Sequence, residues 1–264
     1  MKINKTWLYS VAAGALALML VLGGAWTAQA ATVSPDTATL QQPGGGGRGG
    51  RGNPGNPGNP GNPGLPPAGT VDQQEIDDLL WMREEEKVAR DVYLTLNEEW
   101  NLVVFASISK AEQQHMDALL TLLTRYGIDD PVTDDTVGHF TNPDLQTLYN
   151  DLVAQGLASQ DAALTVGAII EEVDILDLEE AIANTDNADI LQVYQGLECG
   201  SDNHLRAFVG MLEATTGQTY EPQYLDQDAY DAIMAGSQTN CGQGSPRRGG
   251  GRGRHTTPLA TYAW

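Results

Sequence analysis

Between Asp72 and Thr215 apolar residues recur at three- and four-residue spacing through four long stretches, and no stretch sustains the two-residue alternation of a strand. Side chains three or four apart share one face of a helix, so each stretch has an apolar stripe that must be buried against partners. The first predicted helix runs from about Asp72 to Glu98, with Leu79, Met82, Val92, Tyr93 and Leu96 on its stripe. The second runs from about Ser107 to Tyr126 and stops at Gly127, a residue that ends helices without strain. A polar connection with Pro131 and His139 follows, then a shorter helix over about Pro143 to Gln155, opened by Asn142-Pro143. Ser159 caps a third long helix over about Gln160 to Ala183, and a fourth covers about Asn187 to Thr215 before Gly217. A small helix is predicted near Asp226 to Ala235.

Four long helices with one long crossover between the second and third predict an all-α, ferritin-like four-helix bundle with short accessory helices. The bundle occupies residues 71–240 only. Residues 1–30 read as a signal peptide: Lys2 and Lys5 precede an apolar run from Trp7 to Trp26, and Ala28-Gln29-Ala30 is a small-x-small cleavage site. The run also approaches the length that spans a bilayer, so an uncleaved anchor is the alternative. Both readings place the domain outside the cytoplasm, secreted or at the cell surface. Residues 31–70 form a linker with a Gly-rich tract and Asn-Pro-Gly repeats from Asn53 to Gly64. Residues 241–264 form a second Gly/Arg-rich tail. Such composition cannot build a packed core.

Charge narrows the partners. All but one of the 35 acidic residues (Asp36 is the exception) lie in 71–240, against six Lys and Arg there. Nucleic acid is therefore excluded as a ligand of the domain, because its phosphates would be repelled, whereas cations are suited to it. The two cysteines, Cys199 and Cys241, fit a disulfide in an exported protein, and no Cys-x-x-Cys pair supports a cysteine metal site.

Each long helix carries a candidate ligand near its middle. Glu112 and His115 lie three apart on the second helix, so a carboxylate and an imidazole share one face and can grip one ion or bridge two. Glu86 on the first helix lies seven residues from both Leu79 and Tyr93, on the face that turns inward; the bland alternative is a surface pair with Arg90. Glu171 and Asp174 interrupt the apolar run of the third helix, where buried acids are costly unless a cation or donors compensate. For Asp174 the bland alternative is a solvated edge. His204 is the candidate on the fourth helix, but the residue three before it is Ser201 rather than a glutamate. A symmetric pair of Glu-x-x-His steps is thus incomplete, and Asp174 is the nearest source of the absent carboxylate. The expected ligand set is Glu86, Glu112, His115, Glu171, Asp174 and His204. Mixed oxygen and nitrogen donors suit iron or manganese, and also zinc, as one or two ions.

The words Glu84-Glu85-Glu86-Lys87-Val88-Ala89-Arg90-Asp91-Val92-Tyr93, Glu112-Gln113-Gln114-His115-Met116-Asp117-Ala118 and Phe140-Thr141-Asn142-Pro143 occur in order. Ile170-Glu171-Glu172-Val173-Asp174-Ile175, Asn203-His204-Leu205-Arg206-Ala207-Phe208 and Tyr220-Glu221-Pro222-Gln223-Tyr224-Leu225 follow them. Together, over about residues 72–235, they resemble the ferritin-like family known as domain of unknown function 2202. The wider ferritin-like superfamily implies iron or manganese, oxygen- or peroxide-linked redox chemistry, and often homodimers. Carried over by position, the resemblance implies Glu86, Glu112 with His115, Glu171 and His204 as the helix-borne ligands, and Ser201 departs from the pattern. Two functions follow as expectations. One is an exported metalloprotein. The other is a non-catalytic helical binding module tethered at the cell surface, whose Arg-Gly tails would contact anionic polymers.

Overall fold

A computed structural model describes residues 65–236 and Cys241. The expected signal peptide, most of the linker and most of the Gly/Arg-rich tail lie outside the described residues. Within them the chain is all-α: α1 (Gln73–Trp100), α2 (Val103–Tyr126), α3 (Pro143–Gly156), α4 (Gln160–Asn184), α5 (Ala188–Thr216) and α6 (Gln227–Met234). No strand forms among the described residues, and no helix there is long and apolar enough to cross a membrane.

Local chemistry sets the helix ends. Asp72 accepts from the Glu75 amide while the Glu75 carboxylate accepts from the Asp72 amide, a reciprocal cap that starts α1. Asn142, Ser159 and Asp226 cap α3, α4 and α6 in the same way from one side. Gly127 and Gly217 end α2 and α5 with φ of 68° and 70°, left-handed backbone that glycine adopts freely. The start of α2 differs from expectation. The helix begins at Val103 rather than near Ser107, with no side-chain cap, because Asn101 (φ 49°) and Leu102 alone reverse the chain after α1.

Cross-helix contacts fix the topology. Asp78 meets Asn184, Trp81 meets Asp177, and Tyr93 meets Gly167, so α1 and α4 run antiparallel. Tyr126 meets Asp189 and Glu112 meets His204, so α2 and α5 also run antiparallel. The tight α1–α2 and α4–α5 hairpins then leave α2 and α4 parallel, which only a long crossover can connect. That crossover carries α3, which packs on α1 and α4. This is the expected four-helix arrangement with one long crossover, and it is consistent with a ferritin-like bundle.

The crossover is pinned by a buried ion network that the sequence did not announce. Lys87, 2% exposed, donates to Asp91 and to the carbonyls of Thr136 and His139, and its ammonium lies 4.2 Å from the Phe140 ring centre. Arg90 pairs with Asp91 and Asp135 and donates to Gln113, so the expected surface alternative of Glu86 with Arg90 is not what forms. At the C-terminal end, Glu172 accepts from the Tyr220 hydroxyl and the amides of Gln223, Tyr224 and Leu225, fastening the segment before α6. Residues 65–70, read as the end of the linker, already lie on the bundle. Leu65 packs against the apolar cluster that includes Leu79, Leu122 and Tyr194, Arg125 donates to the Pro66 carbonyl, and Asn187 donates to the Thr70 carbonyl.

Candidate metal centre

The apolar core is split in two. One cluster gathers around Tyr93, Phe105 and Phe208, the other around Leu79, Leu122 and Tyr194. The polar layer between them holds the candidate residues. Glu86, Glu112 and Glu171 are each 1% exposed, Asp174 is 5% and His204 is 9%. The solvated-edge alternative for Asp174 is therefore overturned: α4 is enclosed on all sides by α1, α3 and α5, and its acids have no solvent face at that level.

Two triads share one residue. Glu86, Glu112 and His115 form the first, and Glu112, Glu171 and His204 the second. His115 Nδ1 lies 3.2 Å from Glu86 Oε2 and 2.9 Å from Glu112 Oε2. His204 Nδ1 lies 2.9 Å from Glu112 Oε1 and 3.4 Å from Glu171 Oε2. Glu112 thus offers one oxygen to each side, and the two imidazoles stack with ring centres 5.5 Å apart. Short as it is, the approach of His204 Nδ1 to Glu112 Oε1 is not aligned as a hydrogen bond, and both atoms are buried without a hydrogen-bond partner. Glu86 Oε1 and Asp174 Oδ1 are likewise buried and unpartnered. Buried carboxylate oxygens that converge on imidazole nitrogens without aligned hydrogen bonds are what ligands of a cation present. Metal bonds of about 2.0–2.2 Å at angles of about 90° put neighbouring ligand atoms roughly 3 Å apart.

Outer contacts hold these groups. Tyr93 donates to Glu171 Oε1 at 2.6 Å, leaving Oε2 to face His204. The Tyr93 ring is clamped by Phe105 and Phe208, with centres 5.9 and 5.0 Å away. The Ser201 hydroxyl, fully buried, donates to Asp174 Oδ2. Two glycines make room. A Cβ on Gly167 would meet the Phe208 ring at 2.6 Å, and one on Gly200 would meet His115 Nε2 at 2.6 Å. Sequence reasoning missed Gly200, although a glycine inside a long helix signals a close approach.

The charges shift accordingly. Burial raises the Glu86, Glu171 and Asp174 carboxyls, assisted by neighbouring carboxylates, and Asp174 is pushed up to about 8. Burial opposes charge on the imidazoles, but facing carboxylates outweigh it. His204 is raised to about 10 and His115 well above its ordinary value. Burial likewise opposes the charge on Glu112, yet the two imidazoles hold it well below the usual carboxylate range. Without an ion, these shifts favour charge on the two imidazoles and on Glu112 and disfavour it on Glu86, Glu171 and Asp174.

The remaining candidates fall elsewhere. His139 lies in the crossover beside Asp134, and Asp177 accepts from the Trp81 indole. Cys199 and Cys241 form a disulfide with Cα atoms 5.6 Å apart, as expected.

Fold and site together define an all-α bundle with a buried carboxylate–imidazole centre at mid-height. Residues 75–237 match the family described as an uncharacterized protein domain, DUF2202, and the chain belongs to that family. It is 49% identical over 171 residues to the uncharacterized protein MJ0754 of Methanocaldococcus jannaschii, covering 65% of this chain and 92% of that one. The crystal structure of the hypothetical protein MJ0754 matches with a TM-score of 0.64 at 48% identity, over 66% of this chain and 98% of the other.

Proposed function

We propose that this protein binds iron or manganese at the centre shared by α1, α2, α4 and α5, as a ferritin-like metalloprotein working outside the cytoplasm. The observation that supports the reading most directly is the set of buried ligand atoms without a hydrogen bond: Glu86 Oε1, and Glu112 Oε1 with His204 Nδ1, which face each other at 2.9 Å as an unaligned ion pair. A bundle that only needed to fold would fill this layer with apolar side chains, since unpaired buried polar groups cost about 1–3 kcal/mol each. A cation satisfies all of them at once. Glu86, Glu112 and His115 would hold it on one side, and Glu112, Glu171 and His204 on the other. Oxygen and nitrogen ligands without thiolate favour iron or manganese over softer ions. When bound, a redox-active ion would supply oxygen- or peroxide-linked chemistry. The chain's own part is to exclude water, fix the imidazole rings and orient Glu171 through Tyr93.

The test is the metal content of the full chain, purified without chelators and measured by elemental mass spectrometry beside the Glu112→Ala/His115→Ala double variant. Near-stoichiometric iron or manganese, lost from a double variant that keeps its helical circular dichroism, is the expected result. A wild-type chain that stays metal-free after reconstitution with each ion refutes the proposal.

A further inference from the structure

The two halves of the bundle present the same pattern with one substitution. On α1 and α2 stand Glu86, then Glu112 three residues before His115. On α4 and α5 stand Glu171, then Ser201 three residues before His204. Ser201 therefore occupies the station that Glu112 occupies on the other side. It is fully buried, and its hydroxyl donates to Asp174 Oδ2. Asp174 sits one turn beyond Glu171 on the same face of α4 and is 5% exposed. Its other oxygen, Oδ1, is buried with no hydrogen-bond partner. Asp174 also stands close enough to Glu86, Glu171 and Glu112 for charge on any of them to act on the others.

A serine hydroxyl beside an aspartate spans much the same distance as a glutamate reaching from α5. We infer that the carboxylate missing at position 201 has been relocated to α4. Asp174, aimed by Ser201, closes the centre as a two-ion site with four carboxylates and two imidazoles. The inference rests on the metal-binding reading above and adds its stoichiometry and a ligand outside the two triads. Glu172 on the same helix has both oxygens hydrogen-bonded by the fold, whereas Asp174 has only one. Oδ1 of Asp174 is instead left for an ion, and the oxygen bonded to Ser201 fixes the carboxylate plane, as partners behind a metal ligand do.

The test compares the full-length wild type with Asp174→Ala, Ser201→Ala and the exchange variant Asp174→Ala/Ser201→Glu. Each is titrated with Mn(II), and bound ions are counted by calorimetric stoichiometry and by elemental analysis after desalting. Circular dichroism and thermal melting of the ion-free proteins confirm folding. The wild type is expected to bind two ions and Asp174→Ala one. Ser201→Ala should keep two ions, with the second weakened by roughly 10- to 100-fold, the scale for losing a partner behind a ligand. The exchange variant should recover the second ion, because it returns the carboxylate to α5. Three results overturn the inference while leaving the metal reading intact. They are a wild type that binds a single ion, an Asp174→Ala protein that keeps two ions at wild-type affinity, and a folded exchange variant that recovers nothing. A wild type that binds no ion overturns both.

Discussion

Gly200 offers the sharpest test of how the centre is built, because its substitution sets two effects of opposite sign against each other. An alanine Cβ there would lie 2.6 Å from His115 Nε2 and 2.8 Å from Cε1. Comfortable contact needs roughly 3.5 Å, so the ring must retreat by about 0.9 Å. Its opposite edge is blocked: Nδ1 already lies 2.9 Å from Glu112 and 3.2 Å from Glu86. The ring must therefore swing out of the layer or α2 and α5 must part. In a helix interior, alanine would otherwise stabilise over glycine by about 1 kcal/mol. Each charge-assisted contact that His115 gives up is worth roughly 1.5–3 kcal/mol. Gly200→Ala should thus lower ion-free stability by about 1–3 kcal/mol and weaken ion binding at least tenfold. Gly196, one turn earlier on α5, is the control, since a Cβ there meets nothing within 4 Å. Gly196→Ala should raise stability by about 0.5–1 kcal/mol and leave ion binding alone. The assay is urea unfolding of both variants, without ion and with Mn(II). Equal effects of the two substitutions would refute the placement of His115 against α5.

Three further outcomes are expected. Glu172→Ala strands the Tyr220 hydroxyl and the amides of Gln223, Tyr224 and Leu225. It should cost about 3–5 kcal/mol in denaturant unfolding and strip hydrogen-exchange protection from those amides; unchanged protection would show that the segment is held by other contacts. Opening the Cys199–Cys241 bridge, a sequence separation of 42, should cost about 4 kcal/mol through loop-closure entropy, read as a lower unfolding midpoint under reductant. A shift worth under 1 kcal/mol would mean that the C-terminal segment is ordered even in the unfolded chain. His204 is raised to about 10, His115 is raised too and the carboxyl of Asp174 is pushed up to about 8, so an incoming ion must displace at least the two imidazole protons, and ion affinity should climb by at least about two log units per pH unit between pH 6.5 and 8. Raised folded-state values stabilise the ion-free protein fully below the unfolded histidine value and lose that contribution as pH climbs towards 10, so its melting temperature should fall from pH 6.5 to 10. A flat affinity profile would contradict the protonated centre.

How much of this could be read from the chain alone follows from where each residue's partners come from. The four long helices were legible because their apolar spacing is a local property, and their caps at Asp72, Asn142 and Ser159 sit beside the residues they cap. The start of α2 was not, since no capping side chain marks it and Ser107 looked like a better start. Glu112 and His115 were legible because their partnership lies within one helix. The role of Gly200 depends on a ring from another helix, and the burial of Lys87 depends on carbonyls about fifty residues away in the crossover.

The deepest ambiguity lay in the buried acids, and the structure separates them by counting donors. Glu171 and Glu172 are neighbours in sequence and both fully enclosed, at 1% and 0% exposure. Composition, spacing and hydropathy do not tell them apart. Glu172 turns towards the C-terminal segment and receives a hydroxyl and three amides, so its charge is compensated by the fold itself. Asp91 is compensated by Lys87, Arg90 and the Gly138 amide, and Glu75 by Thr185, Asn187 and the Asp72 amide. Glu86 and Asp174 each keep an oxygen with no hydrogen-bond partner, and Glu112 Oε1 meets only the unaligned His204 Nδ1, 2.9 Å away. Burying a carboxylate costs several kcal/mol unless it is paired. A fold that compensates Glu172, Asp91 and Glu75 with its own donors, yet leaves Glu86 and Asp174 an open oxygen each beside two imidazoles, has room at that level for a charge supplied from outside the chain. Their spacing, geometry and donor chemistry fit a cation.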